Sequence, residues 1–315
     1  MANLYKYMSA DVADVLLVDD NNFSIKFSHL HEYNDPYEFF LTISYQRSAQ
    51  ELAFYNEMIS MIQKQPVSCF SKSPINIPMW AHYANNSAGF VIEIDEEKLM
   101  SHISSIGFEN VSSINDVQYY DTPSEEIEQY VQRAYHICKP RYIAYLQRLI
   151  RISAYLRKKT CWNYELERRL ILSDDALIKP NDKLMILAVP LNCIKSIIIG
   201  PKADSELKNK LTKVSKLAQC KIYQMIIGKS TSTPYLIDDK NKTLIFNGFA
   251  IKKQKSSCKK CFEPVSPEQK ICSWCSITQK ERNDAAYRNS FRMLDRAGIL
   301  ESYLKNHGGI IRKTP

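Results

Sequence analysis

Four cysteines near the C-terminus constrain this chain more than any other feature. They read Cys258-x2-Cys261, a spacer of ten residues, then Cys272-x2-Cys275. Each C-x-x-C pair forms a knuckle that brings two sulfurs together. Two knuckles offer four thiolates to one tetrahedral ion, which is the ligand chemistry of structural zinc. Four sulfur ligands leave no open coordination position, so the expected Zn2+ is a folding staple and not a catalyst. The competing reading is two redox pairs or four free thiols. Pro264 and Pro267 suit a tight ribbon loop, and Lys259, Lys260 and Lys270 would offset thiolate charge. The other five cysteines, Cys69, Cys138, Cys161, Cys193 and Cys220, stand singly. One metal-type cluster among isolated thiols points to a reducing cytoplasm rather than a secreted disulfide framework.

The chain is long enough, at 315 residues with 45% hydrophobic content, for about two domains and a sizeable core. Its start lacks the basic and apolar regions of a signal peptide, and no run approaches the 18 or so apolar residues of a membrane span. Glycine is scarce, at 8 residues, and neither G-x-G-x-x-G nor G-x-x-x-x-G-K-[ST] occurs. A glycine-rich phosphate cradle is therefore excluded. The net charge of +8 suits an acidic partner, or simply a basic surface.

Hydrophobic periodicity predicts helices over 10–17, 48–64, most of 124–158 with a break at Pro140, 205–218 and 279–306. Period-two or continuous apolar runs predict strands over 24–28, 67–71, 89–94, the end of 162–172, 183–189, 194–199 and 221–226. Asn34-Asp35-Pro36 reads as a turn. Strands and helices mix without regular alternation, so the fold class is α+β with a mixed sheet and not a doubly wound sheet. The expected organisation is a domain over 1–230, a lysine-rich linker over 231–255, the zinc ribbon over 256–278 and a helical tail over 279–315.

Glu165-Leu166-Glu167, just before Leu170-Ile171-Leu172, is the principal catalytic candidate. On an extended segment residues i and i+2 share a face, so two carboxylates would stand together at the mouth of a strand. Such a pair can split its pKa values, or stabilise a developing cation while positioning a nucleophile. Two surface glutamates paired with Lys158, Arg168 or Arg169 is the plainer alternative. Trp80 and Tyr83 share a helical face and suit either core or stacking. The run Arg157-Lys158-Lys159 is a solvated face or a holder for a pyrophosphate.

Several motifs occur in an order that resembles a bacterial family named domain of unknown function 2971. They are Tyr5-Lys6-Tyr7, Asn34-Asp35-Pro36-x-Glu38, Cys69-Phe70-Ser71-Lys72-Ser73, Met79-Trp80-x-x-Tyr83-Ala84, Trp162-x-Tyr164-Glu165-x-Glu167-x-Arg169 and Ile197-Ile198-Ile199-Gly200-Pro201. The resemblance covers about residues 4–225 and supplies no activity. The Glu-x-Glu before a strand, with the earlier Phe-Ser-x-Ser strand, is also similar to the layout of ADP-ribosyltransferases. That second resemblance implies NAD as substrate, with Glu167 catalytic, Glu165 acting on the acceptor and Ser71 supporting the site. It further implies Tyr5 or Lys6 as the N-terminal contact. With NAD bound, Trp80 or Tyr83 is placed to stack on nicotinamide by its ring, and Lys158 to hold the pyrophosphate by its charge, since no glycine loop does so. The chain departs from that layout in having no Ser-Thr-Ser, and no Arg or His at the early position.

The leading expectation is thus an NAD-consuming enzyme that transfers ADP-ribose to a macromolecule or hydrolyses NAD. By analogy it would be a bacterial toxin or phage-defence effector restrained by an inhibitory protein. One alternative is a non-enzymatic adaptor that binds nucleic acid through the zinc ribbon and helical tail. Another is a metal-dependent nuclease using Asp35, Glu38, Glu165 and Glu167.

Overall fold

Strand β1 (Asn3–Met8) alternates its side chains between two apolar cores: Leu4 and Met8 enter the main one, while Tyr5 and Tyr7 pack around Trp80. The computed structural model describes residues 3–38, 43–44, 46–108, 114–181 and 184–311, so the ends of the predicted 183–189 strand and 279–315 tail lie outside the described residues. The chain divides into two units, Met1–Gln254 and Lys255–Pro315.

In the first unit β1 is followed by a 3-10 turn (Ala10–Asp14), β2 (Asn22–Phe27), helix α1 (Ala49–Ser60), β3 (Val67–Ser71) and α2 (Ile77–Tyr83). Next come β4 (Phe90–Asp95), α3 (Glu96–Ser105), β5 (Asn115–Asp116), β6 (Gln118–Tyr119), α4 (Glu125–Ile137) and α5 (Pro140–Leu156). The chain continues through β7 (Arg157–Lys158), a second 3-10 turn (Thr160–Glu165), β8 (Glu167–Ile171), β9 (Ile178–Asn181), β10 (Leu184–Pro190) and β11 (Ile194–Ile199). It ends with α6 (Ser205–Leu217), β12 (Lys221–Ile226), β13 (Tyr235–Asp238), β14 (Thr243–Phe246) and β15 (Ile251–Lys253).

The unit is α+β, as the lack of alternation implied. A ten-stranded sheet runs β15-β14-β13-β12-β11-β4-β1-β3-β8-β5, and a second sheet runs β2-β10-β9. The large sheet is antiparallel except for β11 and β12, the parallel pair joined by α6. Ile197 and Ile198 of β11 are fully buried, each worth about 1.5–3 kcal/mol of apolar transfer. Gly89 and Gly200 meet where β4 and β11 begin and end, with Gly200 N donating to Gly89 O at 2.9 Å. A Cβ on Gly89 would stand 2.2 Å from Met8 O, so the approach requires glycine.

The two sheets part at β3. Tyr5 pairs with Ser71 at one end of that strand, whereas Val67 at the other end bridges to Ser28, which directly follows β2. Among the described residues the β1–β3 ladder is this single pair. The fork so formed is the space in which the site lies. Helices α1, α4 and α5 pack over a separate apolar cluster on Tyr55, Val131, Leu146 and Ile150.

Two expectations need correction. The helix predicted over 10–17 is only the 3-10 turn, because Leu16 is drawn into the core and Leu17 bridges to Phe23. Ser9 precedes that turn without a side-chain cap bond. The 231–255 segment is not a linker: β13, β14 and β15 extend the sheet edge, and the units divide after Gln254. Short edge strands with one polar face read as loop in a lysine-rich sequence.

The second unit carries the cysteine pairs, then α7 (Ser273–Ser276), α8 (Gln279–Arg288), α9 (Ser290–Arg296) and α10 (Leu300–Ile311). Thr278 and Glu281 form a reciprocal capping box that starts α8.

Candidate active site and metal centre

The fork encloses a cavity of ≈ 800 Å³, within the usual range for a small-molecule site. One wall comes from β1, β3 and β8, and the other from β2, β9 and β10. Pairing carries the geometry across the sheet: Tyr5 opposes Ser71, and Ser71 opposes Glu167.

Glu165 and Glu167 both line the cavity, but not as neighbours on an extended strand. Glu165 ends a 3-10 turn, Leu166 takes the left-handed conformation (φ 48°, ψ 48°), and Glu167 begins β8. The turn nevertheless brings both carboxylates to one ammonium: Lys158 Nζ stands 2.7 Å from Glu165 Oε2 and 3.3 Å from Glu167 Oε2. Glu38 Oε1 lies 3.1 Å from the same nitrogen and 2.6 Å from Arg169 Nη2. Arg169 Nε reaches Glu167 Oε1 at 2.7 Å, and its Nη1 donates to Tyr155 O at 2.8 Å. Three carboxylates therefore share two cations, and with all five ionised the network carries one net negative charge.

Burial makes these charges interact strongly. Burial raises the Glu167 pKa, but Arg169 and Lys158 outweigh it and hold the group down to about 2. Burial raises the Glu165 pKa; Lys158 opposes that shift, and the neighbouring Glu167 charge adds to it. The pair is thereby split into a firmly ionised carboxylate and one that accepts a proton more readily. Tyr83 OH donates to Glu165 Oε1 at 2.5 Å. Ser71 Oγ donates to Glu165 O at 2.7 Å, and Tyr119 OH accepts from Glu167 N at 2.9 Å. Ser71 thus fixes the turn rather than a carboxylate.

Lys6 stands deeper on β1, its Nζ donating to Ser68 Oγ at 2.8 Å and Cys69 O at 3.0 Å, with the Phe70 ring centroid 5.0 Å away. Burial lowers its pKa to about 8. Among the described residues neither Lys6 nor Lys26, also in the cavity, has a carboxylate ion-pair partner. Val12, Val15, Leu17, Leu184 and Ile186 give the cavity an apolar end.

Of the sequence candidates, Tyr5, Lys6, Ser71, Tyr83, Lys158, Glu165 and Glu167 all line this cavity. Tyr5 contributes there from a strand whose ring points elsewhere: its OH donates to Glu93 at 3.2 Å and its ring meets Phe246 edge-on. Trp80 is not among the lining residues. It is fully buried, and its Nε1 donates to Pro74 O at 2.8 Å, so it packs the core instead of facing a ligand. Lys158 is buried between carboxylates rather than solvated. Lys158 and Arg169 were both named as ion-pair partners of the glutamates, and both take that role, though buried rather than at the surface. The i+2 spacing of Arg169 from Glu167 on β8 was the signal that they share a face. The Asp35, Glu38, Glu165 and Glu167 set is not among the groups with metal-holding geometry: Glu38, Glu165 and Glu167 each give an oxygen to Lys158 or Arg169, and Asp35 accepts from the Tyr37 N–H. Among the described residues the one cluster with metal-holding geometry is the four cysteines.

Those four ligand atoms lie within 4.8 Å of one another. Cys261 Sγ and Cys272 Sγ are 3.6 Å apart, close to the separation of about 3.8 Å that tetrahedral zinc–sulfur bonds require. The first knuckle turns at Phe262 (φ 64°), with Phe262 N donating to Cys258 O at 2.9 Å. Lys260 N points to Cys258 Sγ at 3.4 Å, the backbone donation that supports a ligating thiolate. Lys259 N donates to Lys270 O at 3.0 Å and ties the two knuckles together.

Residues 79–170 match a family described as protein of unknown function (DUF2971). The matched segment runs from α2 to β8 and includes Tyr83, Lys158, Glu165, Glu167 and Arg169, while Lys6, Glu38 and Ser71 precede it. No curated protein and no solved structure matches the chain. No helix among the described residues is long and apolar enough to cross a membrane.

Proposed function

We propose that the forked cavity binds NAD and breaks the bond between nicotinamide N1 and ribose C1′. The observation that carries this reading is the split pair of buried carboxylates, Glu165 and Glu167, on the wall of a cavity that also holds Lys6 and Lys26, which have no carboxylate ion-pair partner among the described residues. Nicotinamide would leave with the bonding electron pair, and the ribose would become an oxocarbenium-like cation. Glu167, ionised and held in place by Arg169, stabilises that positive charge without reorganising. As water or an acceptor hydroxyl forms the new bond to C1′, Glu165 receives its proton, a role suited to a carboxylate whose pKa is raised. Lys6 and Lys26 face the pyrophosphate, the apolar end takes a base, and Tyr83 stacks against nicotinamide. The cysteine centre of the second unit is proposed to hold structural Zn2+, which would add binding free energy to folding there.

Purified protein incubated with NAD should release nicotinamide, measured by chromatography. Glu167→Gln should slow release by at least a hundredfold, the scale of removing one preorganised electrostatic contact. Because Glu167 is also structural, melting of the variant is measured in parallel, and Glu165→Gln serves as a second probe. Absence of both NAD binding and nicotinamide release in the unsubstituted protein would reject the reading.

A further inference from the structure

The charge of this chain is concentrated. Residues 255–315 hold twelve Lys and Arg against six Asp and Glu, so the second unit has a net charge of +6, of the +8 for the whole chain. A zinc ion on four thiolates would contribute −2, leaving about +4 on 61 residues. Metal compensation alone thus does not account for the lysines and arginines.

The same unit displays its aromatic rings instead of burying them. Among its described residues the buried side chains are Cys258, Cys272 and Glu263. Trp274 is 54% exposed and Tyr287 72% exposed. Trp274 lies between two metal-ligating cysteines in sequence, on α7. Lys260 Nζ donates to Cys275 O at 3.0 Å, and the Lys259–Lys270 backbone bond draws two more lysines to the knuckles. The cysteine knuckles thereby carry an exposed indole, with Lys259, Lys260 and Lys270 drawn to the same cluster.

We infer that this surface binds single-stranded nucleic acid, with Trp274 stacking on an unpaired base and Lys259, Lys260 and Lys270 contacting phosphates. Exposed rings select unpaired bases because a duplex hides its base faces, and cations supply affinity independent of sequence. An acidic protein would satisfy the charges but has no need of the indole. The inference does not depend on NAD chemistry in the first unit.

The test uses full-length, zinc-loaded protein and fluorescently labelled dT20, U20 and a 20-base-pair duplex, followed by anisotropy. One or both single strands should bind at least tenfold more tightly than the duplex. Three phosphate contacts give a slope of about −2 for log K against log salt, or roughly twentyfold weaker binding between 50 and 200 mM salt. Trp274→Ala should weaken binding at least fivefold with zinc content unchanged, and Trp274→Phe should recover most of it. Lys259→Gln with Lys270→Gln should flatten the salt dependence. No single-strand binding at 50 mM salt, equal affinity for the duplex, or an equally tight complex with poly-glutamate would overturn the inference. So would a zinc-retaining Trp274→Ala variant that binds as before.

Discussion

Arg169 holds both oxygens of Glu167 through one guanidinium edge, Nε to Oε1 at 2.7 Å and Nη2 to Oε2 at 3.2 Å. The two residues sit at i and i+2 of β8, and both are buried. Replacing Arg169 by Met would strand buried carboxylates without their fork, so stability should fall by about 3–5 kcal/mol. Arg169→Lys should recover only part of this, since an ammonium cannot make the bidentate contact. Urea unfolding of the three proteins measures both effects.

Acid should weaken the first unit through Glu167. Its pKa is depressed from 4.5 to about 2 on folding, so its contribution is present above the unfolded value and is lost as pH falls through the folded one. About 3 kcal/mol should disappear between pH 4.5 and 2. Glu165 works in the opposite sense, because its pKa is raised: the folded state gains stability as this group takes up a proton. In Glu167→Gln the acid limb of stability against pH should therefore be shallower than in the unsubstituted chain, as read from urea midpoints across that window.

Leu166 separates the two carboxylates in a left-handed conformation that β-branched residues adopt poorly. Leu166→Gly should be tolerated or stabilising by up to about 1 kcal/mol, while Leu166→Val should be destabilising. The side chain is 43% exposed, so little packing is lost in either case. If both variants melt together, the backbone of this turn is not under the constraint described.

Much of this was legible in the sequence, and the failures have physical causes. Cysteine spacing located the cluster that could hold a metal ion, because ligand chemistry is local. The pairing of Glu165 with Glu167 was anticipated on strand geometry, whereas a left-handed turn achieves it. Glu38 was read as part of a family motif and as a nuclease candidate, not as a partner of Arg169. Its contact with Arg169 spans 131 positions, and no local pattern encodes such a distance. The sequence leaves Trp80 between core and stacking, because helical spacing cannot distinguish a core face from a cavity face, and the core reading is the one that holds. The strands at 235–253 were missed since their lysines and aspartates line an edge, where solvent takes one side.

Metal removal should separate the two units. The three apolar cores are built from residues of the first unit alone. A strong chelator, or Cys272→Ser, should abolish a one-to-one zinc content and lower helical signal from the tail. The main unfolding transition should keep its midpoint within about 2 °C. Loss of that transition together with the metal would mean that the first unit relies on the centre.

Strand β3 changes neighbours along its length, leaving β1 at Ser71 and meeting the end of β2 at Val67. A molecule lodged there would touch both sheets, so its grip is spent against their coming apart. Heat resistance then becomes a detector that presumes no chemistry. A compound at a hundred times its dissociation constant adds about 2.7 kcal/mol to unfolding. A library of nucleotides can accordingly be ranked by melting shift before any reaction is assayed.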